Sequence, residues 1–266
     1  MSELNSALAA AREAGAILRE RWPAEREVRV KGYRDIVTEA DVAAQSAILA
    51  RLKADYPDHE ILAEEGGGDY RADDPRPTWI VDPLDGTTNY ARRIPMFAVA
   101  IGLAVGGEVR VGVVYDPLRD MTFYAERGGG AYLARGGGEP ERLRVSETKT
   151  LAEAVVGVDW SHANDVRREV LSALSRVGLA CGTMRGIGSA ALGIAFVAPG
   201  WFDAYYHFAL KPWDVAGPSL IASEAGGTLT TPDGLPWQLG QSRLVITNGR
   251  FQSELLKVMG LHAHLA

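Results

Sequence analysis

The sequence predicts a mixed α+β and α/β protein, on three observations. Apolar residues recur at helical spacing through the first 22 residues and again from about Asp41 to Leu52. Short apolar runs punctuated by Gly and Pro fill the stretch from "EILAEEGG" to "GAYLA". Beyond "GGGEPERLRVSET" strand-like and helix-like segments alternate, which is the grammar of a layered α/β arrangement. We expect an N-terminal α+β half over residues 1–147 and a C-terminal α/β half over residues 148–266.

The first helix is expected to bury Leu4, Leu8, Ala11, Gly15, Leu18 and Trp22, and Pro23 stops it. Thr38 is placed to cap the second helix, with Asp41 three residues on as a variant capping box. That helix should turn Val42, Ile48 and Leu52 inward. "EILAEEGG" and "TWIVDP" read as strands, and "FAVAIGLAV" and "VRVGVVYDP" pair through the turn "GGE". "MTFYAE" and "GAYLA" extend an antiparallel set. In the second half "AVVGVDW", "WFDAYYHF", "GTLTTPDG" and "SRLVITNG" read as strands. "DVRREVLSALSRVG", "SAALGIAFVAPG" and "WDVAGPSLIASEAGG" read as helices, and "CGTMRGIG" as a short strand and turn that buries Cys181.

Composition narrows the function. A net charge of -6 argues against nonspecific nucleic-acid or anionic-membrane binding. The single cysteine excludes an internal disulfide and a Cys-based zinc site, and fits a reducing compartment. The N-terminus lacks a basic stretch followed by a clean apolar core, and no apolar run reaches the ~20 residues of a membrane span. A cytoplasmic protein is expected. Neither a G-x-x-x-x-G-K-[ST] loop nor an H-x-x-x-H helix pair occurs. His262 and His264 are expected in a solvated tail.

The chemistry concentrates in acids at element ends: Asp41, Glu64, Asp82, Asp85 and Asp214. Crowded carboxylates become tolerable around hard divalent cations such as Mg²⁺, which take oxygen ligands, and the Leu84 carbonyl can join them. "DPLDG" is equally a well-formed turn. Gly86-Thr87-Thr88 then opens a short helix whose free N–H groups suit an anion. Asp41 and Asp214 also make sense simply as first-turn helix acids, and Glu65 as a salt-bridge partner.

Four stretches in order, "DIVTEAD", "LAEEGG", "VDPLDGTTNY" and "KPWDVAGPSLIASEAGG", resemble the inositol monophosphatase family of Mg²⁺-dependent, lithium-sensitive phosphomonoesterases. They span residues 35 to 227, nearly the whole chain. The resemblance implies an αβαβα sandwich of the sugar-phosphatase type and two or three Mg²⁺ per active site. It implies Glu64, Asp82 and the Leu84 carbonyl as ligands of the first ion. Asp82, Asp85 and Asp214 would hold a second, and a weaker third would share Glu64. Thr87 and Asp41 would activate the attacking water. The Gly86 and Thr87 amides would hold phosphate, and Gly188, Ser189, Ala190 and His207 would line the alcohol side.

The implied substrate is a small phosphorylated metabolite, inositol 1-phosphate first, and the implied assembly a homodimer. Fructose 1,6-bisphosphate or nucleotide phosphates are the alternative, as is a regulatory member with a binding role. One departure is His207, where relatives acting on inositol phosphate usually carry Glu. Histidine there suits a leaving group with an acceptor or a second anionic group.

Overall fold

The computed structural model describes residues 1–24 and 27–260; His262 and His264 lie outside them. The first half runs α1 (Glu3–Arg21), β1 (Val28–Gly32), β2 (Asp35–Thr38), α2 (Glu39–Asp55) and β3 (Glu60–Ala63), followed by a 3-10 turn at Glu64–Gly66. It continues through β4 (Thr78–Asp85), α3 (Thr87–Ala91), β5 (Ala98–Val105), β6 (Glu108–Asp116), β7 (Met121–Glu126), β8 (Gly130–Arg135) and β9 (Glu141–Arg142). After a 3-10 turn at Leu151–Glu153 come β10 (Val155–Val158), α4 (Asn164–Ala180), β11 (Thr183–Arg185), α5 (Ala190–Ala195) and β12 (Ala204–His207). Then follow α6 (Pro212–Glu224), β13 (Thr228–Thr230), β14 (Leu244–Thr247) and α7 (Gln252–Met259). The division proposed at 147/148 falls between β9 and the second 3-10 turn, outside any strand or helix.

Five layers result, α–β–α–β–α. A seven-stranded sheet has the order β3-β4-β5-β6-β7-β8-β9, antiparallel except for the parallel β3–β4 pair. A five-stranded sheet has the order β11-β10-β12-β14-β13. The large sheet is buried on both faces, so its strands alternate between two cores rather than between core and water. Trp79, Val81, Val99, Ile101, Val111 and Val113 pack with α1 and α2. Ile80, Ala98, Ala100 and Val114 face α5 and α6, which fill the space between the sheets. The outer face of the small sheet packs on α4 and α7. At the centre α6 lies almost on the large sheet. A Cβ on Gly112 would stand 2.3 Å from the Gly217 carbonyl oxygen.

Local differences from the sequence reading have simple causes. Val42 is exposed, because the buried face of α2 is Ala40, Ala44, Ile48 and Leu52 at four-residue spacing. A residue six positions from Ile48 sits roughly 240° around the helix. In α1 the buried stripe is mostly alanine: Ala7, Ala10, Ala11 and Ala14 with Gly15 and Leu18. Leu4 and Leu8 are only half-buried at its edge. Cys181 caps α4 and is half-buried, not a buried strand residue. The β1–β2 hairpin was not expected; three of its nine strand residues are charged, and β1 is exposed throughout, so no buried face marks it.

Candidate active site

A cleft of about 850 Å³ opens where the ends of β4, β10 and β12 meet the starts of α3, α4 and α6. Asp82 and Asp85 reach it together because β4 is irregular. On a regular strand residues three apart face opposite sides. Here the register slips between Asp82 and Asp85, which pair with Ala100 and Ala98. Pro83 has no N–H to give the ladder, and the bulge turns both carboxylates one way. Asp214 enters from the first turn of α6. Oxygens of Asp82, Asp85 and Asp214 lie within 4.8 Å of one another.

Each carboxylate is held by donors from its own surroundings. The Leu84 N–H donates to Asp82 Oδ1 at 2.9 Å. The Lys211 N–H donates to Asp214 Oδ2 at 2.7 Å, so Asp214 is also a helix cap. Asp85 accepts from the Ser189 hydroxyl and from the N–H groups of Ala190 (3.1 Å) and Ala191 (3.0 Å). Thus Ser189 and Ala190, expected beside the alcohol, line the cleft while their donors fix Asp85.

Burial drives all three carboxyls above their ordinary range, and neighbouring carboxylates add to it for Asp82 and Asp214. Asp85 is pushed up to about 7, its three hydrogen bonds opposing the burial. Such a set of buried, mutually repelling oxygens with no thiol or imidazole among them fits a hard divalent cation.

Asp41 and Thr87 form a second feature. Asp41 is fully buried at the third position of α2. Its Oδ2 accepts from the Thr38 N–H (2.9 Å) and hydroxyl (2.6 Å), completing the expected capping box. Its Oδ1 lies 3.0 Å from Thr87 Oγ1, which is also 3.1 Å from the Leu84 carbonyl. Burial raises Asp41 to about 6. Gly86 precedes Thr87 at φ 96, and a Cβ there would stand 3.0 Å from the Met96 carbonyl oxygen. The tight turn that exposes the start of α3 to the cleft therefore needs glycine.

Glu64 stands apart from the triad. It lines the cleft, but its carboxylate meets Lys31 Nζ at 2.7 Å, and the same ammonium bridges to Glu65 at 2.8 Å. The salt bridge expected for Glu65 is present. Burial opposes the Lys31 charge, but the two carboxylates outweigh it and hold the ammonium above its ordinary range.

Gly188, at φ 70, and His207 also line the cleft. His207 is buried, and its Nδ1 accepts from the Ala209 N–H at 3.1 Å. Its proton is thereby placed on Nε2. Burial lowers its pKa to about 4, so it is a neutral single donor at physiological pH rather than a cation.

Sequence reasoning missed Asp159, one residue past β10. It accepts from the Gly188 N–H at 2.9 Å and the Tyr205 hydroxyl at 3.2 Å, and burial lifts it to about 6. An acid ending the apolar run "VVGV" repeats the pattern of "WIVD" and was the available clue.

These carboxyls make a prediction for the cation-free protein. Asp41 and Asp85 titrate near 6 and 7 when folded, against ordinary values near 3.8. Between about pH 4 and 7 the folded state then binds more protons than the unfolded one, so stability falls as pH rises through that window. The melting temperature of chelator-treated protein should drop between pH 5 and pH 8. Saturating Mg²⁺ should flatten the drop, and a Tm independent of pH without metal would contradict the assignment.

The sequence profile of the inositol monophosphatase family matches residues 1–262. The chain is 37% identical to "Nus factor SuhB" of Escherichia coli K12 over 230 residues, covering 85% of this chain and 84% of that one. It is 35% identical to "Inositol monophosphatase 1" of Solanum lycopersicum over 273 residues, covering 99% and 96%. A solved Thermotoga maritima IMPase superposes with a TM-score of 0.87 at 34% identity, covering 98% of this chain and 97% of that one. Among the described residues no helix is long and apolar enough to cross a membrane.

Proposed function

The chain belongs to the inositol monophosphatase family, and we propose that it is a Mg²⁺-dependent phosphomonoesterase that releases phosphate from inositol 1-phosphate and other small alcohol phosphates. The observation that carries this reading is the buried oxygen cluster of Asp82, Asp85 and Asp214 beside the Asp41–Thr87 pair. In this reading Glu64, Asp82 and the Leu84 carbonyl hold one Mg²⁺, Asp82, Asp85 and Asp214 a second, and a third shares Glu64. Bound there, the ions would neutralise the phosphate dianion and make water acidic enough to attack phosphorus in line.

The protein's own groups do the rest. Thr87 Oγ1 donates to Asp41 Oδ1, which leaves a lone pair of the hydroxyl to accept from the attacking water. As that water loses its proton to Thr87, the threonine proton passes to Asp41. A carboxyl poised near pH 6 is suited to receive it. The Gly86 and Thr87 N–H groups bind the phosphate oxygens. Gly188, Ser189 and Ala190 border the alcohol, and His207 Nε2–H donates to one of its oxygens. An ionised glutamate at that place would accept instead, so selectivity for inositol over other polyols should be weak.

The test is phosphate release from a panel of phosphomonoesters with Mg²⁺ present. Inositol 1-phosphate should be hydrolysed, with less than about a hundredfold preference over the others, equal to about 2.7 kcal/mol. Failure to hydrolyse any of them would refute the proposal. Li⁺ should inhibit by taking the Asp82–Asp85–Asp214 position; an enzyme indifferent to Li⁺ would show that position to be altered.

Similarity to the protein named Nus factor SuhB supports a second reading, a non-catalytic binding role held alongside catalysis. A homodimer in the cytoplasm is also proposed, on the family resemblance, and light scattering tests the assembly.

A further inference from the structure

The floor of the cleft is acidic, but its mouth is not. Arg34 sits at the turn of the β1–β2 hairpin, with φ 63. Its Nη1 donates to the His162 carbonyl (3.3 Å) and to Asn164 Oδ1 (3.0 Å). Arg167, in the first turn of α4, donates from Nε to the Ser161 carbonyl at 3.0 Å. The two guanidinium groups, one from each half of the chain, therefore grip the same short loop, and both line the cleft.

Every acceptor they meet is neutral. Other arginines divide: Arg127, Arg176 and Arg185 meet carbonyl or hydroxyl oxygens, whereas Arg51, Arg76, Arg119, Arg135, Arg243 and Arg250 each meet a carboxylate. Among the described residues neither Arg34 nor Arg167 forms such a pair. In a chain of net charge -6, two cations with no carboxylate partner converge on one loop at a cleft mouth, although like charges repel. They are expected if an anion comes to them. A guanidinium carries five N–H donors in a planar fork, and most remain uncommitted on both residues.

Two further features favour an anion. The N-cap of α4, Ala163, provides no side-chain cap, so the positive end of a 17-residue helix faces the same place. Acids near it are few. Asp165 in the same first turn is exposed, Asp35 is half-buried at the cleft wall, and both Asp159 oxygens are taken by Gly188 and Tyr205. His207 cannot be the cation that meets a second anion, since burial keeps it neutral.

Floor and mouth are rigidly linked. Ser189 and Ala190 hold Asp85, Gly188 binds Asp159, and two residues further Ser161 binds Arg167. About 850 Å³ lies towards the upper end of the ~300–1,000 Å³ usual for small-molecule sites, more than one phosphorylated six-membered ring requires.

We propose that Arg34 and Arg167 form a second anion subsite at the cleft mouth, so that the favoured substrates are small polyol phosphates carrying a second phosphate remote from the one cleaved. This rests on the phosphomonoesterase reading. The second phosphate stays on the product; only the ester bond at the acidic floor breaks, water supplying oxygen to the released phosphate and a proton to the alcohol.

The probes are inositol 1-phosphate and inositol 1,4-bisphosphate, with the Mg²⁺-loaded full chain. Wild-type kcat/KM should favour the bisphosphate by about tenfold or more, mainly through KM, because charge-assisted guanidinium–phosphate bonds are added in binding. Arg34→Met and Arg167→Met should each cut that ratio by at least about threefold, and the double variant should abolish it. Hydrolysis of the monophosphate with no bisphosphate preference in the wild type would overturn the subsite and leave the phosphatase reading standing. So would a preference that both substitutions leave intact. The wild-type comparison needs no variant to fold.

If neither compound is hydrolysed, the phosphatase reading fails, and calorimetry decides the subsite. Tighter binding of the bisphosphate, lost in the Arg34 variant, supports it, and equal affinities overturn it.

Discussion

Asp82→Asn should lower kcat for phosphate release by about a thousandfold or more at saturating Mg²⁺, corresponding to about 4 kcal/mol of transition-state stabilisation. Asp82 is the proposed ligand common to both principal ions, so its charge acts on both sides of the reacting phosphorus. The fold should survive. Asn keeps an oxygen for the Leu84 N–H, now at 2.9 Å, and one charge leaves a cluster in which burial and the carboxylates of Glu64, Asp85 and Asp214 all disfavour ionisation. Chelator-treated Asp82→Asn protein should therefore melt at or above the wild-type temperature at pH 8. Asp85→Asn should behave differently. Asp85 receives three donors, and an amide turns its own N–H groups toward at least one of them, which costs about 1–3 kcal/mol. Near-normal kcat with a lowered Tm in Asp82→Asn would mean that the "DPLDG" stretch is only a turn.

Thr87→Ala should reduce kcat by about a hundred- to ten-thousandfold, the usual range for losing positioned proton transfer, while Mg²⁺ affinity changes little. Thr87 Oγ1 lies within reach of both Asp41 and the Leu84 carbonyl. Thr87→Ser keeps the hydroxyl and should recover most of the rate, which a purely structural threonine methyl would not allow. The acidic limb of the kcat–pH profile should report the Asp41 carboxyl near pH 6 and vanish in Thr87→Ala. Equal rates for the Ala and Ser variants would remove Thr87 from the chemistry.

What could be read from the sequence follows from where the constraints are local. The capping box at Thr38 and Asp41 and the Asp82–Asp85 pair are each written in four consecutive residues, so both were legible. The layer order needed only the alternation of apolar segments. The small-residue face of α1 was legible only in part, Ala11, Gly15 and Leu18 but not Ala7, Ala10 and Ala14, because alanines carry little periodic contrast, and Gly15 lies there against Tyr115 for reasons of space alone. Val42 was misplaced because one apolar residue was weighed without the helix phase set by Ala40 and Ala44.

The cleft mouth was hidden for another reason. Arg34 and Arg167 are 133 positions apart and converge only through the loop that both bind. Lys31 likewise reaches Glu64 and Glu65 from an exposed hairpin whose charged strands gave no pattern. Nor did the Glu-to-His departure at 207 reveal by itself that the imidazole is buried and neutral. That depends on the Ala209 N–H and on the packing around β12.

The most direct measurement is phosphate release from inositol 1-phosphate by exhaustively chelated protein, before and after Mg²⁺ is restored, for the wild type and Asp214→Asn. Asp214 is supplied by the second half of the chain and completes the oxygen cluster. We expect no release without metal, full recovery of the wild type on adding Mg²⁺, and at most about a thousandth of that rate in the variant. Undiminished release by the metal-free wild type, or an Asp214→Asn variant as active as the wild type, would contradict the assignment of this cluster as the catalytic metal site.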